Sequence, residues 1–96
     1  MTSKQRSNLK SLAATMKPIA QVGKEGIGEN LIHSLSETLE AHELIKVNLL
    51  PASGDDGENL AANIADLLGA EVVAVIGRKA IFYRRSSRKD FEHIVF

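Results

Sequence analysis

The sequence predicts an α/β domain, an α+β two-layer arrangement in the order α-β-α-β-α-β-β, with a mostly parallel sheet and one antiparallel strand. Three observations carry this. Apolar residues recur at helical spacing in three separate stretches, as in Leu9, Leu12, Ala13 and Met16. The run Val72-Val73-Ala74-Val75-Ile76 is apolar throughout and β-branched at every position but Ala74, as in a strand covered on both faces or at a sheet centre. Between the first apolar run and the second helical stretch lies Val22-Gly23-Lys24-Glu25-Gly26-Ile27-Gly28, with three glycines in six residues. Glycine places backbone at positive φ with little penalty.

Taken in order, Thr2 with Gln5 three residues later fits a capping box, so a first helix begins near Ser3. Pro18 forces Lys17 out of helical geometry and ends that helix near Thr15 or Met16. Residues 18–22 form a short strand, in which a leading proline is tolerated. Ile27, Leu31, Leu35 and Leu39 are spaced by four, with Ile32 widening the stripe, so a second helix spans residues 28 to about 42. Residues 44–50 alternate Ile45, Val47 and Leu49 with Lys46 and Asn48, as a strand does. Pro51 to Gly57 is a turn-rich loop, and a third helix runs from about Glu58 to Leu68 with Gly69 just past its end. Strands at 71–77 and 79–85 then pair as a hairpin around Gly77. Ser86 to Asp90 is polar and expected to be loose, whereas Phe91 to Phe96 is too apolar for an idle tail.

Ninety-six residues, 44% of them hydrophobic and 25% charged, make one soluble globular domain, here 1–96 with a core of 3–85 and a tail of 86–96. The chain has no cysteine, which excludes disulfides and thiolate metal sites. No apolar run approaches a membrane span, and the first ten residues are too polar for a signal peptide, so the cytoplasm is expected. The zero net charge conceals three blocks. Residues 1–24 carry five lysines and arginines and no acid, residues 25–71 carry ten acids against Lys46 alone, and residues 72–96 carry six basic residues against Asp90 and Glu92. If the two basic ends meet around the glycine turn, they form a surface for an anionic partner.

Catalysis finds little support. His33, His42 and His93 share no metal-ligand spacing, and His42-Glu43-Leu44-Ile45 opens like a zinc-protease motif but ends on Lys46 where a second histidine is required. No G-K-[ST] or G-x-G-x-x-G pattern is present at the glycine turn. Neither a catalytic residue, a metal site, a cofactor nor a small-molecule substrate is therefore expected. Binding fares better. Gly23-Lys24-Glu25-Gly26 is a G-x-x-G element, the type that clamps nucleic-acid backbone in KH domains. Its place between a strand and a helix puts loop N–H groups next to a helix N-terminus, which favours anions. Phe82 and Tyr83 adjoin Arg84 and Arg85, a mixture suited to base stacking with phosphate contact, although one of the two aromatics must face the core.

The ordered blocks Leu9-Lys10-Ser11-Leu12-Ala13, Pro18-Ile19, Val22-Gly23-Lys24-Glu25-Gly26-Ile27, His42-Glu43-Leu44-Ile45-Lys46-Val47, Val75-Ile76-Gly77 and Phe82-Tyr83-Arg84 resemble the bacterial YhbY family over residues 3–85. Members are single CRM domains, the module of chloroplast RNA splicing and ribosome maturation. The resemblance implies a four-stranded mixed sheet with three helices, similar in shape to the C-terminal domain of translation initiation factor three. It also implies RNA as the partner, in precursor large ribosomal subunits during assembly, with Gly23, Lys24, Glu25 and Gly26 as the binding loop. Glu25 and Gly28 depart from what a phosphate clamp favours, the first by its charge and the second by lacking a capping side chain. Arg6, Lys10, Arg78, Lys79 and Arg84, with Tyr83, are then expected to carry more of the RNA affinity. A monomer is expected. The rival reading is a protein-docking module that meets a basic ribosomal protein through the acidic middle, Glu29 to Glu71.

Overall fold

A computed structural model describes residues 1–23, 27–50 and 57–96. The Thr2 hydroxyl accepts from the Gln5 N–H at 3.1 Å and Gln5 Oε1 accepts from the Thr2 N–H at 2.9 Å, the reciprocal capping box that opens α1 (Ser3–Ala13). The helix stops one turn earlier than Pro18 alone requires. Its last carbonyls are taken by tighter bonds, Ala14 N–H to Ser11 and Met16 N–H to Ala13, and by the Lys46 ammonium, which donates to Ala13 at 3.1 Å and Met16 at 3.2 Å.

The remaining elements are β1 (Ala20–Val22), α2 (Glu29–His42), β2 (Leu44–Leu49), α3 (Gly57–Leu68), β3 (Glu71–Ile76) and β4 (Lys79–Tyr83). They follow the predicted order. The sheet order is β1-β2-β4-β3; β1 and β2 pair in parallel, and β4 pairs antiparallel with both β2 and β3. β1, β2 and β3 therefore run the same way and β4 is the one antiparallel strand, as expected. Gly77 and Arg78 make a two-residue hairpin loop, with Gly77 at φ 61 as the first residue, which folds β4 back along β3. The other edge of β4 then takes β2, and the sheet becomes mixed.

Alternation along the strands divides the core between two faces. Ile45, Val47 and Leu49 of β2, with Ala80 and Phe82 of β4, pack under Leu35 and Leu39 of α2 and Ala61, Ile64 and Leu68 of α3. Leu44, Val73 and Ile81 point the other way, onto Leu9 and Ala13 of α1 and the tail residues Ile94 and Phe96. Helices thus cover both faces, making three layers where two were expected. This explains Lys46, the charged residue in the β2 alternation. Its stem lies under α1, 9% exposed, and its charge serves the end of that helix.

At a bulge in β3, between Val72 and Ala74, two successive residues face α1. The Arg6 guanidinium donates to the carbonyls of both Val72 and Val73 there, tying α1 to the edge strand. The segment after β4 is also corrected. Ser86, expected in a loose stretch, is 6% exposed and hydrogen-bonded.

Candidate nucleic-acid interface

One end of the sheet gathers the C-terminal ends of β1 and β2 and the hairpin loop between β3 and β4. Leu50 N–H donates to Val22 at 2.8 Å and Leu49 N–H donates to Arg78 at 2.6 Å, while Asn48 pairs with Lys79. Gly23 and Arg78 are therefore separated by one strand, about 10 Å at ordinary sheet spacing. Both Arg78 and Lys79 are exposed. Of the predicted loop, Gly23 lies within the described residues, and Lys24, Glu25 and Gly26 lie outside them. A Cβ added at Gly23 or at Gly28 would meet nothing within 4 Å, and neither glycine is at positive φ. Packing and backbone strain therefore do not demand glycine at either place, which leaves room at the surface for a guest to approach the main chain. Gly28 caps α2 with no side-chain hydrogen bond, so the cap residue itself supplies no oxygen to the first N–H groups of that helix. Glu29 in the first turn complements the same dipole.

The other predicted cations are dispersed. Arg84 lies five residues beyond Lys79, about 17 Å along β4 and at the opposite end of the sheet. Its guanidinium donates to the Leu68 carbonyl at 2.7 Å, the Ser36 carbonyl at 2.8 Å and the Ser36 hydroxyl at 3.0 Å, and lies 3.6 Å from Glu40. It joins α2 to the end of α3 and is directed inward. Lys10 sits on the opposite face, with Arg6, Ser3 and Ser7 along a shallow groove of about 280 Å3 beside Val73 and Ala74. The expected single surface joining Lys10 to Arg84 is thus broken by the sheet itself, which lies between them. Phe82 is the core aromatic and is fully buried. Tyr83 is half-buried on the α1 face, its ring 4.8 Å from that of Phe96 at an interplanar angle of 65°. Burial and the Glu43 carboxylate hold its phenol above the usual value, so it stays a neutral donor.

Sequence reasoning missed a carboxylate clamp at this second end. Glu40 accepts from the Ser87 N–H and hydroxyl, each at 2.7 Å, and from the Ser86 hydroxyl at 2.9 Å. Glu43 accepts from the Ser86 N–H at 2.6 Å and the Ile94 N–H at 2.8 Å, and a carboxylate can only accept from His93 Nδ1, which must donate. The Ser87 bonds, then Ser86 and Arg84, pull Glu40 down to about 2 from 4.5. Burial would raise Glu43, yet the donors from Ser86, His93 and Ile94 outweigh it and leave it lowered. Nothing local in the sequence marks the clamp, since its partners are 43 to 51 residues apart. Both carboxyls are depressed in the folded state, so the stability they contribute is complete above pH 4.5 and is lost as pH falls toward about 2. In urea titrations at successive pH values, a Glu40→Gln variant is expected to lose less stability than the parent across that window. Equal losses would show that Glu40 has no part in acid unfolding. Among the described residues no three His, Cys, Asp or Glu side chains gather as metal ligands.

Residues 1–84 match the model of the CRS1 / YhbY (CRM) domain. The protein named "Probable RNA-binding protein YqeI" of Bacillus subtilis is 37% identical over 86 residues, covering 90% of each chain. The Pseudomonas aeruginosa protein named "Probable RNA-binding protein PA4753" is 32% identical over 90 residues, 94% of this chain and 86% of its own. The solution structure of SAV1595 from Staphylococcus aureus superposes with a TM-score of 0.79 at 42% identity and covers 94% of both chains.

Proposed function

As the chain belongs to the CRS1 / YhbY (CRM) family, we propose that it binds RNA, and that its target is ribosomal RNA in precursor large subunits during their assembly. The binding end is the one where Gly23 and the Arg78-Lys79 hairpin stand one strand apart, and this juxtaposition is the observation that carries the reading. Main-chain N–H groups of residues 23–26 and the open start of α2 hold phosphate, while Lys24, Arg78 and Lys79 supply charge. Glu25 weakens the loop's own contribution and shifts weight onto the hairpin. Lys10 beside Arg6 offers a separate contact on the α1 face, and Arg84 contributes by fixing the fold. The names of the relatives YqeI and PA4753 support RNA as the ligand. The protein acts as a cytoplasmic monomer, by binding alone and without a chemical step.

The docking alternative is weaker than the charge count suggested. Glu40 and Glu43, two of the ten acids in the middle block, are turned to the tail and are not offered to a partner.

Two variants test the loop. Lys24→Ala removes one charge and Gly26→Asp places a negative charge where the backbone must approach phosphate. Both are expected to keep the parent's circular dichroism, and both to sediment away from precursor particles in salt-controlled gradients, Gly26→Asp more completely. Association that resists both changes, or that survives ribonuclease, would remove the loop from the interface.

A further inference from the structure

The segment after β4 is fastened in two stages. Its start is held by Glu40 and Glu43 through Ser86 and Ser87, and Glu43 holds it again at His93 and Ile94. Between these anchors the chain turns at Asp90, which has φ 60. Beyond the second anchor Val95 is 94% exposed, and Phe96 alone reaches back to set its ring against Tyr83. The tip can therefore lift without undoing either anchor. Around the two rings lies a cavity of about 310 Å3, also lined by Gln5, Glu71 and the exposed Arg85. Glu71 is the strand partner of Tyr83, so both point to the same side of the sheet.

We propose that this cavity is a binding site for one unstacked nucleobase of single-stranded RNA, and that Phe96 is its intramolecular plug. A base stacks on Tyr83 in the place Phe96 occupies, and the adjoining phosphate falls on Arg85. The Glu71 carboxylate repels phosphate but accepts from an exocyclic amino group, which favours adenine, cytosine or guanine over uracil. The site lies at the opposite end of the sheet from Arg78 and Lys79, so it adds a second, gated contact to the first. It rests on the RNA-binding reading above, and the experiment separates the two.

Tyr83 is the one tyrosine of a chain without tryptophan, so intrinsic emission reports on it alone. Oligoadenylate is titrated into the parent, Phe96→Ala, Phe96→Ala with Tyr83→Leu, and Arg78→Ala with Lys79→Ala. His93→Ala, which loosens the same tip, serves as a second release variant. Release is expected to tighten oligoadenylate binding at least about fivefold, the low end of what one stacked base supplies, and to quench Tyr83 emission on binding. Adding Tyr83→Leu is expected to abolish the gain. Unchanged affinity in both release variants, or a gain that survives Tyr83→Leu, overturns the plug. If the parent binds and weakens only with the Arg78 and Lys79 changes, the plug falls and the main interface stands. If no variant binds, both fall.

Discussion

Replacing Glu43 by alanine is expected to lower the unfolding free energy by about 3 kcal/mol, as for removal of one partner from a buried charged network. The side chain is 0% exposed and accepts from two backbone N–H groups and an imidazole. Each bond to a charged group contributes roughly 1.5–3 kcal/mol. Their sum overstates the loss, because the freed segment can return its donors to water as it lifts. The backbone sharpens the test. Glu43 caps α2 at φ 64, a left-handed conformation that costs a β-carbon-bearing residue about 1 kcal/mol. Glu43→Gly loses the same carboxylate but relieves this strain, and should be about 1 kcal/mol more stable than Glu43→Ala. Urea denaturation followed by circular dichroism measures both. A loss under about 1 kcal/mol in the alanine variant would show that the tail is held by its apolar contacts instead.

That clamp marks where sequence reasoning reached its limit. The capping box at Thr2 and Gln5, the glycine-led hairpin and the bounds of α2 were legible because each depends on residues a few positions apart. Strand alternation in β2 correctly separated Ile45 and Val47 from Lys46, but it could not show that α1 would cover the second face and bury the lysine. The same limit applies to Arg84. A basic residue after an aromatic pair reads as a nucleic-acid contact until two helix carbonyls, at Ser36 and Leu68, are found within its reach. Polar residues at Ser86 and Ser87 suggest a loose loop unless acids some 45 positions upstream are known to face them. Sheet order is also a long-range property, since nothing in the β4 segment says that its free edge will meet β2. The proposed binding end is the reverse case. The G-x-x-G pattern and the Gly77-Arg78-Lys79 turn were each visible, and only the nearness of Gly23 to Arg78 required the fold.

Arg78→Ala combined with Lys79→Ala is expected to weaken single-stranded RNA binding about tenfold to a hundredfold at low salt, while changing stability by less than about 0.5 kcal/mol. Both side chains are exposed, and the hydrogen bonds that place them are made by backbone, which alanine preserves. Gly77, whose φ of 61 builds the turn, is left untouched. The mechanism makes a second demand. Each neutralised phosphate contributes about 0.7 to the fall of log K with log salt for single strands, so two lost contacts should reduce that slope by about 1.4. With about four to six contacts in the parent, tripling the salt should weaken its binding on the order of tenfold or more, and the variant's distinctly less. Filter binding at several salt concentrations gives affinity and slope together. A loss of affinity with an unchanged slope would mean that the hairpin was distorted and was not contacting phosphate. An unchanged affinity would move the interface away from this end of the sheet. A shallow slope in the parent itself, with strong preference for one short sequence, would shift the weight of recognition from phosphate to base contact at Tyr83.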